Sequence, residues 1–81
     1  MSPTVLQSGP YRFFFFSSDR DEPLHVHVAR DQKTAKIWLD PIQLEYNRGF
    51  AQNELNRIMA LVAEHRAQLM KAWHDYFDSG N

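Results

Sequence analysis

The stretch LHVHVARDQKTAKIWL, residues 24–39, decides the fold. Two runs in it, LHVHVA (24–29) and TAKIWL (34–39), alternate between two kinds of side chain, which is the two-residue period of a β-strand. The polar residues RDQK between them are typical of a turn, so the two runs are predicted to form an antiparallel hairpin. A slip of one residue would invert both faces, so the alternation fixes the register. The predicted pairs are Val28 with Ala35, Val26 with Ile37, His27 with Lys36 and His25 with Trp38.

Further strands are predicted on both sides of this hairpin. The run YRFFFF, residues 11–16, is rich in strong strand formers, and the polar loop SSDRDEP separates it from the hairpin. After the turn signal Asp40-Pro41, residues 42–46 alternate again and predict a short edge strand. Residues 1–10 contain Pro3, Gly9 and Pro10, and we expect them to form a loose lead-in.

The sequence period changes at about residue 51. Leu55, Val62, Leu69 and Tyr76 recur every seven residues, which predicts one long amphipathic helix over residues 52–77, with Gly80 just beyond it. Such a helix must bury its apolar stripe, and the sheet is the available partner. We therefore expect an α+β fold in a single domain, residues 1–81. It would be a three- to four-stranded antiparallel meander, at about residues 11–46, with one long C-terminal helix packed on one face.

Composition narrows the class of protein. Nine Lys and Arg residues oppose ten Asp and Glu residues, and this balance argues against a strong autonomous nucleic-acid binder. The chain has no cysteine, which excludes disulfides and thiolate metal sites. The N-terminal stretch lacks the pattern of a signal peptide, and the longest apolar run is too short to span a bilayer. We therefore expect a cytoplasmic protein without a membrane partner.

The predicted hairpin places a distinctive set of side chains on the sheet face opposite the helix, called the outer face below. His25, His27, Lys36 and Trp38 share this face, because the aliphatic residues of both strands should meet the helix. Alternate residues of the run 13–16 point the same way. Exposed apolar patches of this kind often mark a contact site, so the outer face is the candidate functional surface.

Four interpretations of the histidine pair stay open, and two of them involve no chemistry. In the structural one, His25 stacks on Trp38 and both help to cover the sheet or a dimer interface. In the binding one, Trp38 and a phenyl ring stack on a ligand or on bases. The cations Lys36, Arg12 and Arg30 would then meet phosphates.

The other two interpretations use the histidines chemically. In the catalytic one, His25 and His27 act as general acid and base in RNA cleavage, and Lys36 stabilises the developing phosphate charge. In the metal one, the pair chelates a zinc ion, which requires a third ligand. Asp21 and Glu22 lie near enough in sequence to fold back. Of the two, the catalytic interpretation is preferred, so neither a metal nor another cofactor is expected.

The helix carries two further histidines and an aromatic end. His65 and His74 lie about half a turn apart around the helix, and neither should converge with the strand pair. Trp73, Tyr76 and Phe77 are most simply the hydrophobic end of the helix packing on the sheet. The competing interpretation is that they form a patch that docks a partner.

Several of these segments together resemble a known family. YRFFFFSS, EPLHVHV, AKIWLDP, GF…EL and a terminal AW, in this order and spacing, resemble the bacterial domain of unknown function DUF4160 over about residues 1–77. The sharpest parts are residues 22–27 and 35–38. The chain departs from the family pattern at Leu24, where a second proline is usual, and at Ile37, where an aromatic is common. It also departs at Ala51, where a helix-capping serine is expected, and an alanine there costs about 1 kcal/mol.

The resemblance implies a short bacterial protein associated with toxin–antitoxin modules and often encoded beside another small domain. We therefore expect a protein of toxin–antitoxin type that works through its outer face with a protein partner encoded nearby. Its enzymatic form would be a metal-independent ribonuclease with His25, His27 and Lys36 as catalytic residues. The alternative is a non-enzymatic binding or regulatory module, antitoxin-like or dimerising, that uses the same face or the C-terminal end of the helix. The candidate binding residues are Arg12, Glu22, Arg30, Trp38 and Trp73.

Overall fold

The computed structural model describes residues 4–78, which form a five-stranded antiparallel sheet followed by two helices. The strands are β1 (Thr4–Ser8), β2 (Tyr11–Phe14), β3 (His25–Arg30), β4 (Lys33–Leu39) and β5 (Ile42–Arg48), and they lie side by side in chain order. The helices are α1 (Gln52–Glu64) and α2 (Arg66–Asp78). The α+β class and the antiparallel meander are confirmed, whereas the expectation of three to four strands is wrong.

The β3–β4 hairpin has the predicted register. His25 lies opposite Trp38 and His27 opposite Lys36, with the aliphatic pairs between them. Asp31 in the connecting turn has a φ of 55°, a left-handed conformation that aspartate tolerates better than most residues. The alternation was sufficient to fix this register because one face of the hairpin is fully buried.

β1 is the strand that the sequence analysis missed. Residues 4–8 were expected to be part of a loose lead-in, but they pair with β2 through a two-residue turn at Gly9-Pro10. Gly9 has a φ of 57°, which tight hairpin turns require at this position. Gly-Pro is therefore a hairpin turn here and not the end of ordered structure. Residues 1–3, which belong to the same expectation, and Gly80 lie outside the described residues.

One face of the sheet packs against both helices and forms the hydrophobic core. The helices contribute the buried residues Leu55, Ile58, Val62, Leu69, Trp73 and Phe77. The predicted seven-residue stripe is therefore confirmed, with its last member, Tyr76, only partly buried. Full burial of each large apolar side chain contributes roughly 1.5–3 kcal/mol, and this is what holds the helices on the sheet. Within residues 4–78, no helix is long and apolar enough to cross a membrane.

The expected single helix over residues 52–77 is wrong, because the helix is interrupted at His65. This residue has φ −103° and ψ 16°, outside the regular helical range, and it separates α1 from α2. No proline or glycine marks the position. The interruption falls beside Arg66, whose Nε donates to the carbonyl of Leu39 at 2.7 Å and whose Nη2 lies 3.0 Å from Asp40 Oδ1. This contact with the β4–β5 turn joins residues far apart in the chain, so no helical period reveals it.

Glu54 ties the first turn of α1 to the sheet. Its carboxylate accepts hydrogen bonds from Arg30 at 2.6 Å, from the Tyr11 hydroxyl at 3.2 Å and from Lys33 at 3.3 Å. A carboxylate also suits the exposed N–H groups at a helix N-terminus. The helix is thus oriented on the sheet by one side chain that reaches β2, β3 and β4.

Candidate functional site

A short segment folds back and covers both strand histidines. Residues 16–21, called the cover segment below, contain a 3₁₀ turn at Ser17–Asp21. His25 and His27 lie on the outer face, as predicted, but His25 is 0% exposed and His27 only 6%. The expectation of an uncovered outer face is therefore wrong at the histidines. The polar loop after β2 does not extend into water but returns to the sheet.

Asp19 joins the cover segment to β3. Its Oδ2 accepts a hydrogen bond from the backbone N–H of Phe16 at 2.8 Å. The same oxygen lies 3.0 Å from Nε2 of His27 and 3.1 Å from Nε2 of His25. Asp19 itself is buried, and electrostatic contacts are stronger there than in water. One carboxylate oxygen thus contacts both histidine rings. We call Asp19, His25 and His27 the buried triad.

The tautomer of His25 follows from its surroundings. Its Nδ1 lies 2.8 Å from the carbonyl oxygen of Pro23, and a carbonyl can only accept, so Nδ1 is assigned the proton. In a neutral ring, Nε2 then carries a lone pair and no proton. This fully buried nitrogen faces Asp19 Oδ2 but makes no hydrogen bond within residues 4–78. Two acceptor atoms therefore face each other, unless the ring is protonated or a cation lies between them.

His27 is held in its neutral form. Burial lowers the pKa of His27 below its ordinary value, although the Asp19 carboxylate raises it. At pH 7 a neutral ring is therefore favoured. Its Nε2 can donate one hydrogen bond to Asp19, and its Nδ1 has no hydrogen-bond partner in the described part of the chain. In the other neutral tautomer, with the proton on Nδ1, the same Nε2 could bind a metal instead.

Aromatic rings enclose the buried triad. His27 stacks on Phe14 with 5.5 Å between the ring centroids, and His25 meets the rings of Trp38 and Trp73 edge-on at 5.4 and 5.0 Å. These rings exclude water, which strengthens charge interactions among the enclosed groups. The ligand atoms that the triad offers all lie within 4.8 Å of one another, close enough for a single metal ion to bridge.

An ion pair lies at the edge of the buried triad. Lys36 Nζ donates to Glu22 Oε1 at 2.5 Å, and this hydrogen bond lowers the pKa of Glu22. The same nitrogen lies 4.8 Å from the centroid of the Trp38 ring, whose Nε1 donates to Glu45 at 3.1 Å. The ammonium of Lys36 is thus engaged by Glu22 and Trp38. Two carboxylates lie on the surface around this tryptophan.

Two exposed arginines of the outer face stack on aromatic rings. The guanidinium carbon of Arg12 lies 4.3 Å from the centroid of Phe14, and that of Arg48 lies 4.5 Å from the centroid of Tyr46. Such cation–π contacts hold a guanidinium in place at a surface. Neither arginine forms an ion pair with another residue in the range 4–78.

Strand pairing places these two arginines in one row across the sheet, called the arginine row below. Arg12 lies opposite Ala29, Ala29 opposite Thr34, and Thr34 opposite Arg48. Three strand spacings separate the arginines, which corresponds to about 14 Å. The small side chains of Ala29 and Thr34 leave a shallow floor between two fixed positive charges.

Two of the candidate binding residues lie away from the outer face. Arg30 pairs with Glu54 on the helix side of the sheet. Trp73 is buried in the core, 5.2 Å from Phe15 between ring centroids, and it also contacts His25. The expectation that the helix stays on the side of the sheet remote from the histidines is thus wrong at this end. Trp73 thus brings α2 into contact with His25 of β3.

Parts of the site are not predicted from the sequence. The sequence offers Asp21 and Glu22 as a third ligand, whereas Asp19 takes this position. The available signal was a short polar side chain three residues after Phe16, a spacing at which a carboxylate can accept from the backbone and close a turn. Arg48 lies two residues beyond the predicted end of the edge strand at residue 46, and the strand continues to it, so it shares the face of Tyr46.

The fold and the site together define a small α+β domain, in which a histidine–aspartate cluster is sealed beneath one face of a β-meander. The family profile described as Domain of unknown function (DUF4160) matches residues 11–74, from β2 into α2. Because this match covers most of the chain, the protein belongs to this family, and the resemblance is confirmed. No curated protein and no solved structure gives a significant match.

Proposed function

We propose that the protein is a non-enzymatic binding module of toxin–antitoxin type, which holds an acidic surface of a partner protein against its outer face. The observation that carries the proposal is the arginine row. Arg12 and Arg48 are exposed, stacked on rings and without an acidic partner among residues 4–78. Arginine, tryptophan and tyrosine are the residues enriched at energetic centres of protein interfaces. Because the stacked guanidinium groups are already ordered, binding costs them little further conformational entropy.

The charges around the arginine row favour a protein over RNA as the partner. The chain has a net charge of −1. On the same face, Glu22 neutralises Lys36, and Glu45 lies beside Trp38. These carboxylates would repel a phosphate backbone, whereas a protein surface of mixed charge can complement both the arginines and the acids.

RNA cleavage by His25 and His27 stays a prediction, with less support from the geometry. A general acid or base must come within hydrogen-bond reach of the proton it transfers. Both rings are buried, and Asp19 and Pro23 occupy three of their contacts, so the cover segment would have to open before RNA could reach them. Incubation of the purified chain with RNA tests this directly. Fragments made by the native chain and absent with His27→Ala would restore the enzymatic alternative.

The test of the binding proposal is co-expression of the chain with the product of the neighbouring gene. We expect the two proteins to co-purify as a stable complex. Arg48→Glu should weaken the complex at least about tenfold, because the truncation of a central interface arginine alone often costs 1–2 kcal/mol or more. The matched control is Arg57→Glu, since Arg57 is also exposed, lies on α1 and has no ion pair with the described residues.

Three outcomes separate the alternatives. Loss of affinity in Arg48→Glu and not in Arg57→Glu supports a partner site on the outer face. Equal affinity of both variants, or no complex at all, contradicts the proposal. A single-stranded RNA that binds the purified chain, with the same dependence on Arg48, would replace the protein partner by nucleic acid.

A further inference from the structure

We propose that the buried triad is a binding site for one divalent transition-metal ion, held by Oδ2 of Asp19 and by Nε2 of His25 and of His27. The site is distinct from the arginine row, and the inference does not rest on the proposed function. Its role would be to fasten the cover segment to β3. The metal interpretation of the strand histidines requires a third ligand, for which the sequence offers Asp21 and Glu22, and Asp19 takes this place in the structure.

The geometry of the three atoms fits such an ion. A tetrahedral zinc ion with bonds of about 2.0–2.1 Å places its ligand atoms roughly 3.3 Å apart. Asp19 Oδ2 lies 3.0 Å from one histidine nitrogen and 3.1 Å from the other, and the three ligand atoms lie within 4.8 Å. The two distances from the carboxylate oxygen are thus close to the tetrahedral value, and binding would require side-chain rotations that also bring the two histidine nitrogens to it.

The lone pair on Nε2 of His25 favours a cation at this site. Its Nδ1–H donates to the Pro23 carbonyl, which leaves Nε2 aimed at a carboxylate oxygen. That nitrogen is fully buried and has no hydrogen-bond partner within residues 4–78, and such groups are costly when left unsatisfied. A cation between Nε2 and Oδ2 would satisfy both atoms. A ligating histidine ordinarily donates its other N–H to a backbone carbonyl or a carboxylate, as His25 does.

The donor set selects the class of metal. Two imidazoles and one carboxylate suit zinc and other first-row divalent ions, whereas magnesium and calcium prefer oxygen ligands alone. Three protein ligands also leave one tetrahedral position for a water molecule or an external ligand. The competing account is that a proton on His25 alone reconciles the ring with Asp19, and in that case zinc has no reason to bind.

Calorimetric titration of the chelator-treated full chain with zinc chloride at neutral pH tests the proposal. We expect saturation at one ion per chain. Asp19→Asn should weaken binding at least about tenfold, because it removes the anionic ligand while its amide oxygen can still accept from the N–H of Phe16. The matched control is His74→Asn, which removes an exposed histidine paired with Asp78 on α2 and should leave binding unchanged.

A second measurement covers the case in which Asp19→Asn does not fold. Cobalt chloride added to the native chain should give visible absorption bands of a low-coordinate site, which zinc then removes. Zinc binding that persists in folded Asp19→Asn, or that disappears in His74→Asn, would overturn the proposal. So would the absence of both zinc heat and cobalt bands. Because these measurements use the chain alone, their failure is separate from a failure to bind a partner.

Discussion

At the scale of single residues, Glu54 makes a contribution to stability that depends on pH. Burial raises the pKa of its carboxyl group, but the hydrogen bonds from Lys33, Tyr11 and Arg30 outweigh burial and lower the pKa below the ordinary 4.5. A folded pKa below the unfolded one gives stability that is present above the unfolded value and lost as the pH falls through the folded value. We therefore expect Glu54→Gln to melt below the native chain at pH 7 and together with it in strongly acidic buffer. Thermal melts monitored by circular dichroism check this.

The control for this prediction is Glu64→Gln at the end of α1, whose side chain is 70% exposed. It should melt within about a degree of the native chain at both pH values, since exposed pairs contribute little. A difference between Glu54→Gln and the native chain that persists unchanged in acid would mean that the carboxylate charge is not what ties α1 to the sheet.

The residue scale also shows which part of the site the sequence could reveal. Alternation placed His25 and His27 on one face, since strand geometry alone dictates this. The contact of both rings with Asp19 was not predictable, because Asp19 lies in a polar loop without any period. Loop residues of this kind acquire a function only through the path of the backbone, which local patterns do not specify.

At the scale of elements, the N-terminus of α1 lacks a stabilising side-chain cap. Ala51 is the N-cap residue, with φ −70° and ψ 160°, and no side chain accepts a hydrogen bond from the first turn there. Ala51→Ser adds only a hydroxyl group, which can accept from an otherwise unpaired N–H. We expect the variant to be more stable by about 1 kcal/mol, which urea unfolding would measure.

A matched substitution separates capping from a general effect of serine. Ala60 is exposed within α1, where serine is a poorer helix former than alanine and no N–H awaits a partner. Ala60→Ser should therefore lower stability slightly. If both variants shift the urea midpoint in the same direction, the capping explanation fails.

Strands and helices were predictable where the hydrophobic period of the sequence was sustained and one face of the element was buried. The β3–β4 register and the stripe of Leu55, Val62 and Leu69 follow from such patterns. β1 carries a register irregularity between Thr4 and Leu6, which breaks the two-residue alternation, so its short pattern is not distinguishable from a loop. The interruption at His65 was not predictable, because its neighbour Arg66 bonds to a turn distant in the chain.

At the scale of the whole molecule, the cover segment connects the two layers of the fold. Asp19 bonds to β3 of the sheet, and the adjacent Arg20 donates to the carbonyl of Phe77 in α2 at 3.2 Å. The cover segment therefore bridges the sheet and α2, with one attachment to each. Access to the buried triad should depend on both attachments.

Loss of the attachment to α2 is expected to change amide hydrogen exchange in the cover segment but not in the rest of the fold. Arg20→Ala removes the attachment to α2, and a hydrogen bond from a charged donor contributes about 1.5 kcal/mol, which is roughly tenfold in an opening equilibrium. We expect amide hydrogen exchange to become about tenfold faster over residues 16–22 and to stay unchanged in β3 and β4, whose amides open only on global unfolding. Arg57→Ala, on the exposed side of α1, should change neither region. Exchange that accelerates equally everywhere would show that Arg20 stabilises the whole fold, and unchanged exchange in the cover segment would show that Asp19 alone holds it closed.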